Sequence, residues 1–213
     1  MYNYRLPCQI NMSIAQKVSE IEALFGELDA EINSFQVTTK LACLPGCGRC
    51  CTHNEVDASP LEFLPWAYQL YLKGEANQVL EALSEKTSNI CHNYNPIGLL
   101  EAGKGSCGAY TYRGLICRLF GYAANADKYG KLRLATCKII KEDQALAFQN
   151  AENMISDGLP IPVFTHYYMR LSQIDYQLGN KIVPINTALK IAIEEVLHYY
   201  MYRRLEDDVR GAA

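Results

Sequence analysis

From Ile14 to Phe35 apolar residues recur at intervals of three and four, at Ile14, Val18, Ile21, Leu24, Phe25, Leu28, Ile32 and Phe35. That spacing lines one face of a helix and predicts an amphipathic α-helix, with Ser13 placed to cap it. A second start signal lies at Ser59-Pro60-Leu61-Glu62. Serine suits the cap, proline the first helical position, and glutamate the reciprocal capping-box position. The helix it opens is expected to pass through Trp66 to about Leu72 and to end at Gly74. Helical periodicity resumes from Glu75 to about Ile90 through Val79, Leu80, Leu83 and Ile90, as a second helix or a bent continuation of the first.

The stretch from Cys91 to Cys137 changes character, with more glycine and tyrosine. Here Tyr122 to Asn125 and Lys131 to Ala135 flank Asp127-Lys128-Tyr129-Gly130, which predicts a short β-hairpin with a glycine-bearing turn. Gly114 to Phe120 predicts a short helix. The helical pattern returns from Ile139 to Ile155, from about Val163 to Leu178 and from Pro184 to about Asp207, with turns at Gly158-Leu159-Pro160 and Gly179-Asn180. The expected fold is therefore mainly α: a single helical domain over residues 1–213 with one short hairpin. A core of about 41–140 is flanked by helices at about 14–35 and 139–207.

Length and charge narrow the functions open to such a chain. Its 213 residues suffice for one substantial core. Lys and Arg number 20 against 23 Asp and Glu, and no basic block stands out, so a nucleic-acid partner is not expected. No run of eighteen apolar residues occurs, and the first residues lack the apolar segment and cleavage site of a signal peptide. The expectation is a soluble, cytoplasmic protein without a membrane partner. There is also no G-x-S-x-G, H-E-x-x-H, phosphate loop or dinucleotide fingerprint to supply catalytic machinery.

The cysteines change this picture most. There are nine, and four of them fall in the nine-residue stretch C-L-P-G-C-G-R-C-C, at Cys43, Cys47, Cys50 and Cys51. Pro45, Gly46 and Gly48 let the backbone fold back tightly between them. Thiolates so closely spaced suit a thiophilic metal, zinc or an iron-sulfur cluster. A reducing compartment disfavours disulfides, and Cys50 and Cys51 would pair with each other only through a strained ring. Cys91, Cys107, Cys117 and Cys137 follow in the middle of the chain, whereas Cys8 stands alone and reads as an ordinary buried residue.

This order of residues resembles the YkgJ-like cysteine-cluster family of zinc- or iron-chelating proteins. The resemblance is carried by CxxxCxxCC at Cys43, Cys47, Cys50 and Cys51, then Ser59, Pro60 and Glu62, then Cys91. It continues with Cys107 and Tyr110, with Arg113, Cys117, Arg118 and Phe120, and ends at Cys137. It spans roughly the middle half of the chain. Three features depart from the family pattern. Cys91-His92-Asn93-Tyr94 replaces Cys-Pro-Phe-Leu, Arg113-Gly114 replaces Arg-Pro, and the loop before Cys107 is long. The resemblance implies metal or iron-sulfur binding. For some relatives, such as flagellin lysine methylases, it also implies an enzymatic context.

Eight thiolates could form two mononuclear four-sulfur sites, a binuclear cluster, or one cubane cluster with spare cysteines. Uneven spacing and glycine N–H groups favour iron-sulfur, and abundance among closed cysteine sites favours zinc; iron-sulfur is the preferred expectation. Four thiolates on a divalent ion leave a formal charge of about minus two. Arg49, Arg113 and Arg118 are the candidates to offset it from beside the sulfurs. His53 and His92 adjoin cysteines but are not needed as ligands. Cys43, Cys47 and Cys50 also have the spacing of a radical S-adenosylmethionine loop, but Arg49, the fourth thiol and the lack of alternating strand-helix units argue against one. Three functions follow as expectations: a cluster-bearing protein in redox chemistry or metal handling, a zinc-stapled interaction module with a protein partner, and a cluster-dependent protein-modifying enzyme.

Overall fold

The computed structural model describes residues 12–44, 46–96, 105–203 and 205, and the structural statements below refer to these. Cys8 and Asp207 lie outside them, but the last helix, expected to run on to about Asp207, already stops at Tyr200. The described chain is mainly helical, with small two-stranded sheets. Its α-helices are α1 (Ile14–Thr39), α2 (Leu64–Lys73), α3 (Ala76–Glu85), α4 (Leu115–Leu119), α5 (Lys138–Asp143), α6 (Ala145–Ser156), α7 (Phe164–Ile174), α8 (Tyr176–Gly179) and α9 (Ile185–Tyr200).

The α1 face read from the sequence is the face that packs, since all eight of its apolar positions are buried. Ser13 caps it in a capping box: the Gln16 N–H donates to Ser13 Oγ (3.2 Å), and the Ser13 N–H donates to Gln16 Oε1 (2.9 Å). The helix runs past Phe35 to Thr39. It closes at Lys40, whose left-handed backbone (φ 62°) lets its N–H donate to the Gln36 carbonyl. The 3-10 turn Pro60–Phe63 leads into α2, which ends at Gly74 (φ 76°), as expected.

Several helices are shorter than their apolar pattern: the one expected from about Val163 to Leu178 is divided into α7 and α8 at Asp175 (φ −148°, ψ 111°), whose side chain caps α8. The one begun at Ala76 stops at Glu85 instead of continuing to Ile90. Ser88 Oγ accepts the Ile90 N–H (3.2 Å), and the Asn186 amide from α9 donates to the Ser88 and Ile90 carbonyls (3.1 and 2.9 Å). Side chains thus supply the partners that another helical turn would have supplied. The segment expected as one helix over 139–155 is divided into α5 and α6 at Gln144 (φ −124°, ψ 38°). The Gln144 amide is engaged with the Ala42 backbone, donating to its carbonyl (2.6 Å) and accepting its N–H (3.2 Å).

The predicted hairpin is present as β4 (Ala123–Ala126) and β5 (Leu132–Ala135). Asp127 Oδ1 accepts the Tyr129 and Lys131 N–H groups across its turn. With β1 (Asp57–Ala58), β2 (Tyr94–Pro96), β3 (Gly105–Cys107) and β6 (Val183–Pro184), two further antiparallel pairs form, β1 with β6 and β2 with β3. Strands of two or three residues are too short to show an alternating pattern.

The buried apolar residues fall into two clusters. The larger joins the face of α1 to α2, α4, α7 and α9 around Leu28, Leu61, Leu64, Leu119, Leu171 and Leu189. The smaller joins the end of α1 to the hairpin, α5 and α6 through Phe35, Leu41, Leu134, Ile140, Ala151 and Ile155. No described helix is long and apolar enough to cross a membrane.

One ion pair links the start of α1 to the cap of α8. Lys17 Nζ lies 2.6 Å from Asp175 Oδ2 with both side chains largely shielded, and Asp175 Oδ1 accepts the Leu178 N–H (2.9 Å). Burial alone would raise the Asp175 carboxyl, but the Leu178 N–H and the Lys17 ammonium outweigh it and hold it below its ordinary 3.8. A depressed carboxyl lends stability that is complete above the unfolded value and is lost as pH falls through the folded one. Asp175→Asn is therefore expected to cost roughly 2 kcal/mol at neutral pH and to flatten the acid limb of a urea-denaturation series below about pH 4.

Candidate metal centre

From Gly46 to Cys51 the chain folds as successive tight turns. The Cys47 N–H donates to the Leu44 carbonyl (3.1 Å), the Cys51 N–H to Gly48 (3.0 Å), and the His53 N–H to Cys50 (3.4 Å). Gly46 has φ 71°, open to glycine at no steric cost. Gly48 is pressed against the Tyr94 ring and the Gly105 backbone, where a side chain would collide with both. The Gly105 N–H donates to the Gly46 carbonyl (3.0 Å), so β3 is stitched directly to this block.

Cys91 and Cys107 reach the block through backbone contacts. The Cys91 N–H donates to the Cys51 carbonyl (3.0 Å). Cys107 lies opposite Tyr94 in the β2–β3 pair, and the Gly108 N–H donates to the Asn93 carbonyl (2.6 Å). On the other side, the Cys43 N–H donates to Tyr122 Oη (2.7 Å) at the edge of the hairpin. Cys137 caps α5, its Sγ accepting the Ile140 N–H at 3.5 Å, and the Gln144 amide at the far end of α5 grips Ala42.

Glu62 determines where Cys117 sits. This carboxylate is fully buried, with Oε1 accepting the Ser59 N–H (2.7 Å) and the Tyr168 hydroxyl (3.3 Å), and Oε2 accepting the Ile116 N–H (2.7 Å) at the start of α4. Burial pushes Glu62 up to about 7, against the pull of those hydrogen bonds. Gly114 packs on the same group. A Cβ there would stand 2.6 Å from Phe63 Cε1 and 2.7 Å from Glu62 Oε2, which accounts for glycine at this position. The capping role of Glu62 was readable from its spacing to Ser59. Its bond to Ile116, fifty-four residues away, left no local signal, and neither did the parts played by Tyr122 and Gln144.

All eight described cysteines are free thiols, so none is tied up in a cystine. Burial raises Cys43 to about 11, helped by the thiols of Cys47, Cys50 and Cys137. Burial likewise raises Cys50, with Cys137 and Cys47 adding to it. It pushes Cys51 up to about 12, followed by the influence of Cys91, Cys107 and Cys50. Cys117 is raised well above its ordinary value, by burial and then by Glu62, Cys91, Cys51 and Cys107. Such thiols stay protonated at neutral pH without a cation among them. Among the described residues no three His, Cys, Asp or Glu side chains already stand in a metal-holding arrangement.

The three candidate arginines go to different places. Arg113 acts on the thiols, its charge favouring the thiolates of Cys50, Cys51 and Cys107. Its guanidinium lies 3.8 Å over the Tyr110 ring, and its buried Nε has no hydrogen-bond partner. Arg118 is buried and binds Asp29 of α1, the Arg113 carbonyl (3.0 Å) and the Thr111 carbonyl (2.7 Å). That fastens α4 to α1. Arg49 is exposed. His53 Nδ1 accepts the Glu55 N–H, and the His92 ring meets the edge of Trp66.

A scan against protein-family models found no match, and neither curated proteins nor solved structures gave one. The Glu62 tie makes its own prediction. Glu62→Ala strands the Ser59 and Ile116 N–H groups and is expected to cost about 3 kcal/mol in urea denaturation. Glu62→Gln keeps an acceptor and should cost less.

Proposed function

We propose that this chain is a metal-binding protein carrying an iron-sulfur cluster, with zinc as the alternative occupant, on Cys43, Cys47, Cys50, Cys51, Cys91, Cys107, Cys117 and Cys137. The observation that carries the reading is the non-local stitching of thiol-bearing segments: Cys51 to Cys91, Gly46 to Gly105, and Cys43 to Tyr122. Eight reduced thiols, raised by burial and, at Cys43 and Cys51, further by one another, would give up their protons to a thiophilic cation bound among them. Soft sulfur donors select zinc, copper(I) or iron-sulfur clusters over hard cations. The resemblance to the YkgJ-like cluster proteins points the same way. Redox chemistry or metal handling in a reducing, cytoplasmic setting is the role that fits a free-thiol set.

A zinc-stapled interaction module is the second reading. The strand pairs beside the thiols have only two to four residues per strand, and isolated pairs of that size need a staple. A cluster-dependent protein-modifying enzyme rests on the resemblance alone.

Anaerobic purification followed by elemental analysis and an absorption spectrum tests the proposal. A visible band that bleaches on reduction, with iron and sulfide, is expected; stoichiometric zinc in colourless protein would favour the second reading. Cys50→Ser and Cys117→Ser should each lower metal content and thermal stability together. Unchanged loading in both variants would overturn the assignment.

A further inference from the structure

We infer that the eight thiols form two separate four-sulfur centres. Cys43, Cys47, Cys50 and Cys137 hold one, and Cys51, Cys91, Cys107 and Cys117 hold the other. The inference deepens the metal-binding reading above and rests on it.

Backbone connections tie members of each set together, while the Gly105–Gly46 bond holds the two sets side by side. The second set is joined by the Cys91–Cys51 hydrogen bond and by the β2–β3 pair that carries Cys107. The first set is joined by the Cys43 bond to Tyr122 and by the Gln144 clamp on Ala42, which brings the segment beside the helix that Cys137 caps. The apolar clusters divide four of them in the same way. Cys51, Cys91 and Cys117 pack on the larger cluster, and Cys137 packs on the smaller.

The electrostatic neighbours of each thiol repeat the division. The thiols that act most strongly on Cys43 are Cys47, Cys50 and Cys137, and those on Cys117 are Cys91, Cys51 and Cys107. The sets meet at the consecutive residues Cys50 and Cys51. Arg113 stands at that junction, acting on Cys50 from one set and on Cys51 and Cys107 from the other. One guanidinium thus offsets part of the charge of both centres.

Each centre matches the four-sulfur complement of a closed zinc site or of one cubane cluster. When four protonated thiols take up one divalent ion, about four protons are released and no electron moves.

The test uses the full chain, purified anaerobically, with metal and sulfide counted per chain. Two centres predict about two zinc ions, or about eight iron and eight sulfide. Cys43→Ser and Cys107→Ser should each halve that content. The pair Cys43→Ser/Cys137→Ser, within one set, should lose no more than half, while Cys43→Ser/Cys107→Ser should lose nearly all.

A second measurement on the unaltered chain guards against variants that fail to fold. Stepwise chelation with thiol alkylation, read by mass spectrometry, should expose the cysteines in two blocks with the membership given above. Only one centre's worth of metal, release of all eight thiols together, or blocks of different membership would overturn the division while leaving metal binding intact. A chain that carries no zinc, iron or sulfide would overturn the metal-binding reading and this inference with it.

Discussion

A carboxylate with no exposed surface is costly unless its oxygens are occupied, and Glu62 meets that condition by binding parts of the chain that are far apart in sequence. One oxygen holds the start of its own 3-10 turn, and the other holds the first turn of α4. Because α4 has only five residues, it has little stability of its own and takes its position from this bond and from Arg118. Arg118 then anchors the same short helix to α1 through Asp29 and secures the preceding loop through two carbonyls. Cys117 lies between the two anchors. Its place is therefore a product of a buried polar network on the edge of the apolar core.

The apolar core and the thiol region divide the labour. The helices α1, α2, α7 and α9 bury their own faces. The segments bearing most of the sulfurs are turns and very short strands whose backbone groups bond to one another. Such segments lack the apolar area to fix themselves, and a metal bound there would contribute to folding as well as to function. Arg113 fits this arrangement, since its buried Nε has found no oxygen and its charge already bears on three thiols.

Much of the helical framework was legible in the sequence because its signals are local. The eight apolar positions of α1, the Ser13 cap, the Ser59-Pro60-Glu62 start, the Gly74 stop and the hairpin around Asp127 to Gly130 all appear where pattern and turn chemistry place them. The departures arise from distant partners. Asn186 satisfies the carbonyls that end α3, Ala42 engages the amide that divides α5 from α6, and Asp29 claims Arg118. The cysteines could be picked out as donors by spacing alone. Which of them share neighbours could not, because that depends on backbone bonds spanning tens of residues.

The grip on Ala42 and Cys43 has a consequence for biosynthesis. Its partners, Tyr122 and Gln144, lie 79 and 102 residues downstream, so the segment leaving α1 stays untethered until the hairpin and α5 have emerged from the ribosome. Cys91, Cys107 and Cys117 are all translated before Tyr122. Vectorial synthesis thereby orders these contacts: the backbone bond between Cys51 and Cys91 can form from the first half of the chain, the grip on Ala42 and Cys43 waits for residues 122 and 144, and the helices α7 and α9 that complete the larger core come later still.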